Sequence, residues 1–298
     1  MNLRILILSI FGTFVFASCS SDSNSSNSTS QNLDPNTILP KKFLFTDADG
    51  WSEYEFFYTG NKINYIEVSG DINTDPYNPN NPSSYFFSGE IINFLYNGDL
   101  ITKISSNVRG IYNEEFNFNY QNNKISSINF NSERSMDNHY IMNYNINYVY
   151  SANGNVIATK TYTDNPEILT PISINLVNNN NELVYRTSDN VGGGECNFVY
   201  ETTNSPFKNI VGYSNSLSNF FFNNFASDSL LSEELYLIKY FTSFPPVYNY
   251  RSISNSDFGY LFFHNWYNEI NFPINREIQI YSVYSVNSYI ERCNIFYN

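Results

Sequence analysis

The residues in this chain that could do chemistry are few and scattered. Two histidines, His139 and His264, are the only imidazoles in 298 residues. Neither has a second metal ligand at the spacing by which a helix presents a pair, and no Gly-x-Ser-x-Gly elbow offers a nucleophile. His264 falls within an alternating apolar run and reads as structural. Asp47-Ala48-Asp49-Gly50 with Glu53 is a fragment of a calcium loop that lacks the remaining oxygen ligands, and the same residues make a good hairpin turn. Glu114-Glu115 and Glu233-Glu234 are adjacent carboxylates. Neighbours in a strand point to opposite faces, so Glu114 and Glu115 cannot flank a substrate as acid and base. Gly192-Gly193-Gly194 could cradle an anion, but no helix or lysine follows to complete a phosphate loop, and it reads as a turn before Phe198. No catalytic residue, metal site or cofactor is expected. Cys196 and Cys293 form an even pair that permits a disulfide outside the cytoplasm, although the sequence does not say whether their strands are neighbours.

The elements that must position these residues come from a repeat. Phe94-Leu95-Tyr96-Asn97-Gly98-Asp99-Leu100-Ile101-Thr102-Lys103-Ile104 is an aromatic strand, a tight turn and a strand entered on isoleucine. The frame recurs from Phe56 to Ile66 and from Phe118 to Ile128. In all three copies isoleucines follow the tyrosine by five and by eight residues. Gly and Asn supply the positive φ that two-residue hairpin turns need, so Asn122-Asn123 can stand where Asn97-Gly98 stands. Looser copies surround Tyr148–Ile157, Ile174–Leu183 and Phe198–Tyr200, and an opening hairpin runs from Lys42 through Asp47–Gly50 to Tyr58. Repetition at this period signals an array of one supersecondary unit.

The outgoing strands alternate cleanly. Phe116, Phe118 and Tyr120 face one way and Asn117 and Asn119 the other; Tyr144, Ile146, Tyr148 and Tyr150 oppose Asn143, Asn145 and Asn147. The return strands do not. Ile63 and Ile66, Ile101 and Ile104, and Ile125 and Ile128 are three apart, so a regular strand would send them to opposite faces. Either a bulge re-phases each return strand or both faces are partly covered, and Phe57, Leu95, Val149 and Val199 on the polar face favour cover. Asp71–Pro82 is a Pro- and Asn-rich excursion. After Tyr213 the pattern breaks. Ser227-Asp228 can cap a helix through Leu230, Leu231, Leu235, Ile238 and Phe241, ended by Pro245-Pro246, with a strand as the alternative. The β pattern resumes at Phe258. The fold class expected is all-β: an antiparallel meander of hairpins, flat or curled into an open barrel or half-pipe, with one short helix late in the chain.

The address is written at the N-terminus. Arg4 and the apolar run Ile5–Phe16 make a signal peptide (1–18) too short to span a bilayer. Phe16-Ala17-Ser18-Cys19 resembles a bacterial lipobox, which implies lipid attachment at Cys19, and several acyl chains hold a protein on a membrane durably. Residues 19–37 are a Ser/Asn-rich flexible tether, and 38–298 are a single repeat domain with an irregular or helical insertion near 214–257. Ser20 after that cysteine suits outer-membrane sorting by the same resemblance. The net charge of −13 argues against nucleic acid and against anionic lipid headgroups as partners. Aromatics make up 18% and charged residues only 14% of the chain, so it can build a core although 50 residues are asparagine.

The form Tyr58-Thr59-Gly60-Asn61-Lys62-Ile63 and Tyr150–Asn155 resemble the tyrosine-aspartate repeats of Rhs-type proteins. The segments Lys42–Gly50, Asn204–Ile210 and Tyr267–Pro273 make the chain similar to uncharacterised flavobacterial and other Bacteroidetes lipoproteins built from such hairpins. That resemblance implies a long β-meander on the outer membrane and no particular activity. The function expected is a non-enzymatic binding or scaffolding module held on the membrane by its lipid, with a glycan or an envelope protein as partner. A glycan-binding component of polysaccharide uptake is the alternative, and a glycan-handling enzyme would need clustered carboxylates that the sequence does not offer. Tyr and Trp on a sheet can stack on sugar rings, but a long sheet also needs large side chains for its core.

Overall fold

The computed structural model describes residues 34–298 except 47–49, 74–83, 109–111, 135–139, 154, 164–171, 180–181, 189–194, 214–247, 256–258 and 283–288. These belong to the compact unit Asp34–Asn298. Its elements are strands: β1 (Pro40–Thr46), β2 (Gly50–Thr59), β3 (Lys62–Asn73), β4 (Ser84–Asn97), β5 (Leu100–Val108), β6 (Tyr112–Gln121), β7 (Lys124–Arg134) and β8 (Tyr140–Tyr150). The second half continues with β9 (Val156–Tyr162), β10 (Ile172–Asn179), β11 (Glu182–Ser188), β12 (Glu195–Asn204), β13 (Tyr248–Asn255), β14 (Gly259–Tyr267), β15 (Pro273–Ser282) and β16 (Tyr289–Tyr297). Each pairs antiparallel with its neighbours in chain order. The meander goes further than an open barrel or half-pipe, because β1 also pairs with β16, from Lys42 opposite Phe296 to Thr46 opposite Arg292, and the sheet closes. Closure leaves no unpaired edge.

The isoleucine puzzle is resolved by bulges. Tyr58 pairs with Ile63 and Phe57 with Tyr65, so Asn64 is the extra residue. Thr102 and Ser126 are skipped in the same way at the next two copies of the frame, and Val184 at the β10–β11 hairpin. One extra residue restores the phase of the return strand. Ile63, Ile66, Ile101, Ile104, Ile125 and Ile128 therefore all point inward and are buried. The competing expectation, cover on both faces, is corrected: Leu95, Val149 and Val199 stand exposed on the outer face, at 56%, 63% and 46%. The turns carry the conformations that their residues allow. Gly98 has φ 56°, and the Asn122-Asn123 pair has φ 53° and 60°, so asparagine does replace glycine there.

The tyrosine of each frame ties one hairpin to the one before it. The Tyr96 hydroxyl accepts from the Ile63 N–H (3.2 Å), and Tyr120 and Tyr150 donate to the carbonyls of Ile101 (2.5 Å) and Ile125 (2.9 Å). Tyr58 reaches the Pro40 carbonyl (2.7 Å) in β1 and Tyr297 the Pro273 carbonyl (2.7 Å) in β15. A side chain with an apolar body and a polar tip suits the rim of a core, where it packs inward and satisfies backbone at the turn.

The barrel is filled. Phe43, Phe45, Tyr54, Phe56, Phe116, Phe130 and Tyr144 belong to one buried cluster with the isoleucines. Full burial of such side chains stabilises by about 1.5–3 kcal/mol each. Residues 205–213 pack against the β1–β5 part of the rim that carries the tight turns. Phe207, Ile210 and Tyr213 are buried, with the Phe207 ring 5.5 Å from Phe43 and 4.5 Å from Tyr213. Val211 N–H donates to Asn61 carbonyl (2.9 Å), and the Asn209 amide donates to the carbonyls of Pro35 (2.7 Å) and Ile38 (2.9 Å).

Two further expectations change. Part of the insertion drawn at 214–257 is strand: β13 pairs with β12 from Cys196 opposite Asn255 to Asn204 opposite Tyr248. The helix expected over Asp228–Phe241 lies outside the described residues, as do the signal peptide, Cys19 and most of the tether. The disulfide is absent. Cys196 on β12 and Cys293 on β16 are buried free thiols, with β13, β14 and β15 between their strands around the sheet.

Candidate functional site

The outer face of the barrel divides into two territories. Over β6, β7 and β8 it is amide-rich: Asn117, Asn119, Asn129, Asn131, Asn143, Asn145 and Asn147 face outward while their neighbours fill the core. Asn129 donates to Asn145 (2.5 Å) and Asn119 to Asn129 (3.0 Å) across the strands. A shallow groove of ≈ 540 Å³ runs over this region, lined by residues that include Asn93, Asn107, Glu115, Asn131 and Asn143. Within it the Asn107 amide donates to Asn113 (2.6 Å), and Glu115 is engaged by Lys103 and by Asn117 (2.7 Å). The Lys103 ammonium, then the Asn117 amide, hold the Glu115 carboxyl below its usual range.

Over β14, β15 and β16 the outer face is aromatic and polar together. Strand alternation places Tyr260, Phe262, His264 and Trp266 in one outward row, with Phe263 buried behind them. Tyr260 is 54% exposed and Trp266 52%. Tyr260 stands opposite Tyr281, and the Phe262 ring packs on both, stacked on Tyr260 at 6.2 Å and edge-on to Tyr281 at 5.8 Å. The next rows are polar. Gln279 lies opposite Phe262, Glu277 opposite His264 and Asn275 opposite Trp266. On β16, Ile290, Arg292 and Asn294 continue these rows.

The polar groups form a chain of hydrogen bonds. Tyr281 hydroxyl donates to Gln279 (3.1 Å), the Gln279 amide donates to Glu277 (3.2 Å), and Arg292 Nε donates to the other Glu277 oxygen (3.1 Å). The Gln279 bond, then the Arg292 bond, lower the Glu277 carboxyl, so it stays ionised and the local charge is balanced.

A buried network backs this row. Arg276, 1% exposed, points inward between Asn275 and Glu277. Its guanidinium donates to Asn265 (2.7 Å) and Asn249 (2.9 Å) and lies over the Phe263 ring at 5.3 Å. Asn265 donates on to Glu201 (3.3 Å), which also accepts from the Tyr267 hydroxyl. Phe263 and Asn265 are the strand neighbours of Phe262, His264 and Trp266, so a packed and hydrogen-bonded core fixes the backbone that presents the row.

Among the described residues, the chemistry-bearing residues read from the sequence do not converge on one another. Glu114 points inward, 3% exposed, and accepts from the Ser106 hydroxyl (3.3 Å), while Glu115 points outward, as adjacent strand residues must. Glu53 pairs with Lys42 (3.1 Å) on the outer face, and Asp47 and Asp49 lie outside the described residues. His139, Glu233, Glu234 and Gly192–Gly194 also lie outside them. Among the described residues no group of three His, Cys, Asp or Glu side chains converges for a metal. His264 is exposed within the aromatic row rather than structural in the core.

Alternation in the sequence places Phe262, His264 and Trp266 on one face, but it did not show that this face is the outer one or that Tyr260 and Tyr281 join it. The signal was present but without phase. Tyr260-Leu261-Phe262-Phe263-His264-Asn265-Trp266-Tyr267 is aromatic on both faces, and only the position of Arg276 and the sheet register decides which one is outside.

No family model matches the chain, and no curated protein matches it. Its fold is similar to that of a porin-like protein from Bacteroides uniformis, with a TM-score of 0.52 at 10% identity, over 87% of this chain and 98% of that one. A porin-like protein from Bacteroides vulgatus aligns over 88% of this chain and 99% of that one, with a TM-score of 0.47 at 12% identity.

Proposed function

We propose that this chain is a water-exposed binding or scaffolding module of the outer membrane, held there through lipid on Cys19, and not a pore. The observation that carries this reading is the sense of its amphipathicity. A barrel that spans a bilayer turns apolar side chains outward to lipid and polar ones inward to a channel. Over most of its strands this barrel does the reverse. Phenylalanine, tyrosine and isoleucine dominate the interior, with Glu114 and Arg276 among a few charged residues there. Strands β6–β8 present mainly asparagine, serine and glutamate outward, with Ile141 and Val149 between them. Residues 205–213 pack against the β1–β5 side of one mouth, with Phe207 and Ile210 buried in the core. The porin-like name of the structural neighbour is thus matched in strand architecture, while the side chains argue for a different solvent on each face. A lipid on Cys19 and the tether to residue 37 would supply the membrane association that the outer face cannot. The aromatic and isoleucine core of the described residues supports ligand or partner binding on the outer face.

The experiment is fractionation of cells that express the chain and its Cys19→Ala variant, with labelled palmitate. The wild-type protein is expected to take up label and sediment with the outer membrane. The variant is expected to be unlabelled and released by carbonate wash. A variant that stays integral to the membrane, or ion conductance by purified protein in a planar bilayer, overturns the reading.

A further inference from the structure

We infer that the outer face of β14–β16 is a platform for a neutral polysaccharide chain. The inference rests on the reading of the barrel as a module that binds on its outside, and it names the site and the ligand class. A hexose ring has two kinds of surface: C–H patches that pack on aromatic rings and a rim of hydroxyls that donate and accept together. The row Tyr260, Phe262 and Trp266 supplies rings exposed to solvent, with Trp266 about 13 Å from Phe262 along the strand, a reach of several sugar rings. The adjacent row Asn275, Glu277 and Gln279 supplies planar groups that pair with hydroxyls, Asn275 opposite Trp266, Glu277 opposite His264 and Gln279 opposite Phe262. Aromatic and polar rows side by side suit a linear chain lying along the strands.

Charge selects the ligand further. Glu277 and Arg292 neutralise one another at 3.1 Å, and the chain as a whole carries −13. An acidic polysaccharide would meet repulsion from the protein with no free cationic cluster among the described residues of this face to offset it. A protein partner is a poorer match, because the core of a protein interface excludes charged residues and this face has an ion pair at its centre. The groove over β4–β8 lacks the aromatic half of the chemistry: its lining is amide, hydroxyl and carboxylate with Ile141.

Native affinity electrophoresis of the full-length protein in gels containing an unbranched glucan, a xylan or a mannan tests the proposal, with alginate as the acidic control. At least one neutral polymer is expected to retard the protein, and alginate to leave it unretarded. Trp266→Ala and Phe262→Ala are each expected to weaken retardation by about tenfold, the scale of losing one well-placed aromatic contact. Leu95→Ala, exposed on another part of the outer face, is expected to leave it unchanged. Circular dichroism of each variant separates lost binding from lost fold, and Gln279→Ala provides a second probe of the same face by removing hydroxyl partners alone. Retardation by no neutral polymer, equal retardation of wild type and Trp266→Ala, or stronger retardation by alginate overturns the platform. So does concentration-dependent self-association that Phe262→Ala abolishes. None of these outcomes bears on whether Cys19→Ala is released from the membrane, so the two readings fail separately.

Discussion

The hydroxyl of Tyr150, at the end of β8, donates to the carbonyl of Ile125, the first residue of the β7 core, at 2.9 Å. The same bond, with the same two positions of the repeat, joins Tyr120 to Ile101. Each hairpin is thereby fastened to the previous one at the rim. Replacing Tyr150 by Phe keeps the ring and removes the bond, and is expected to cost about 1 kcal/mol, read as a lower urea midpoint at unchanged slope. An unchanged midpoint would show that the bond contributes nothing beyond the ring's packing.

These rim tyrosines also set the alkaline limit of the fold. Burial raises the phenols of Tyr58, Tyr96 and Tyr297 above their ordinary value. A raised pKa in the folded state means that the native protein holds the proton more tightly than the unfolded chain. Their contribution is therefore complete below about pH 10, the unfolded value, and is lost as pH rises above it. Tyrosinate absorbance and loss of circular dichroism are expected to rise together above that pH. Gradual ionisation of all tyrosines with the fold intact would contradict this.

Two glycines make distinct predictions. Gly98 holds φ 56° with nothing within 4 Å of where a Cβ would stand, so its requirement is conformational. Gly98→Val is expected to destabilise by about 1–2 kcal/mol, and Gly98→Asn by much less, because Asn122 and Asn123 occupy such φ values in the next hairpin. Gly212 holds φ 81°, and a Cβ there would meet the Asp99 carbonyl oxygen at 2.7 Å. Gly212→Ala should lift residues 205–213 off the β4–β5 turn. Faster hydrogen exchange at Val211 and Tyr213, with β6–β8 unaffected, is the expected sign.

The thiols give a direct chemical check. Both are buried, and burial pushes the Cys293 thiol up. Alkylation without reductant is expected to leave Cys196 and Cys293 unmodified in the native protein and to modify both after unfolding. Recovery of a Cys196–Cys293 peptide would restore the bridge.

How much of this was legible in the sequence depends on phase. Where one face was polar, as in Asn117-Phe118-Asn119-Tyr120, the inward residues were read correctly from alternation alone. The hairpin turn at Asn122-Asn123 was read from side-chain chemistry. The bulges at Asn64, Thr102 and Ser126 were visible as isoleucines three apart, yet a second explanation fitted equally well, because a bulge is a property of two strands and the sequence presents one at a time. The closure of the barrel could not be read, since Lys42 and Phe296 carry no pattern that names each other. On β14 the alternation of Phe262, His264 and Trp266 was legible, but not that it faces outward, because rings stand at both phases.

The pairing of β1 with β16 has a kinetic consequence. Every other strand pairing among the described residues joins neighbours in chain order, but this seam joins residues about 250 apart, so it demands the closing of the longest loop among those pairings. Hairpins can zip locally as they emerge, while the ring stays an open ribbon with two bare edges until residues 289–297 arrive. Those edges are templates for one another in different molecules as well as in the same one. A chain arrested before Arg292 would thus hold fifteen well-formed strands and still be the form most prone to exchange its first strand with a neighbour, linking copies end to end.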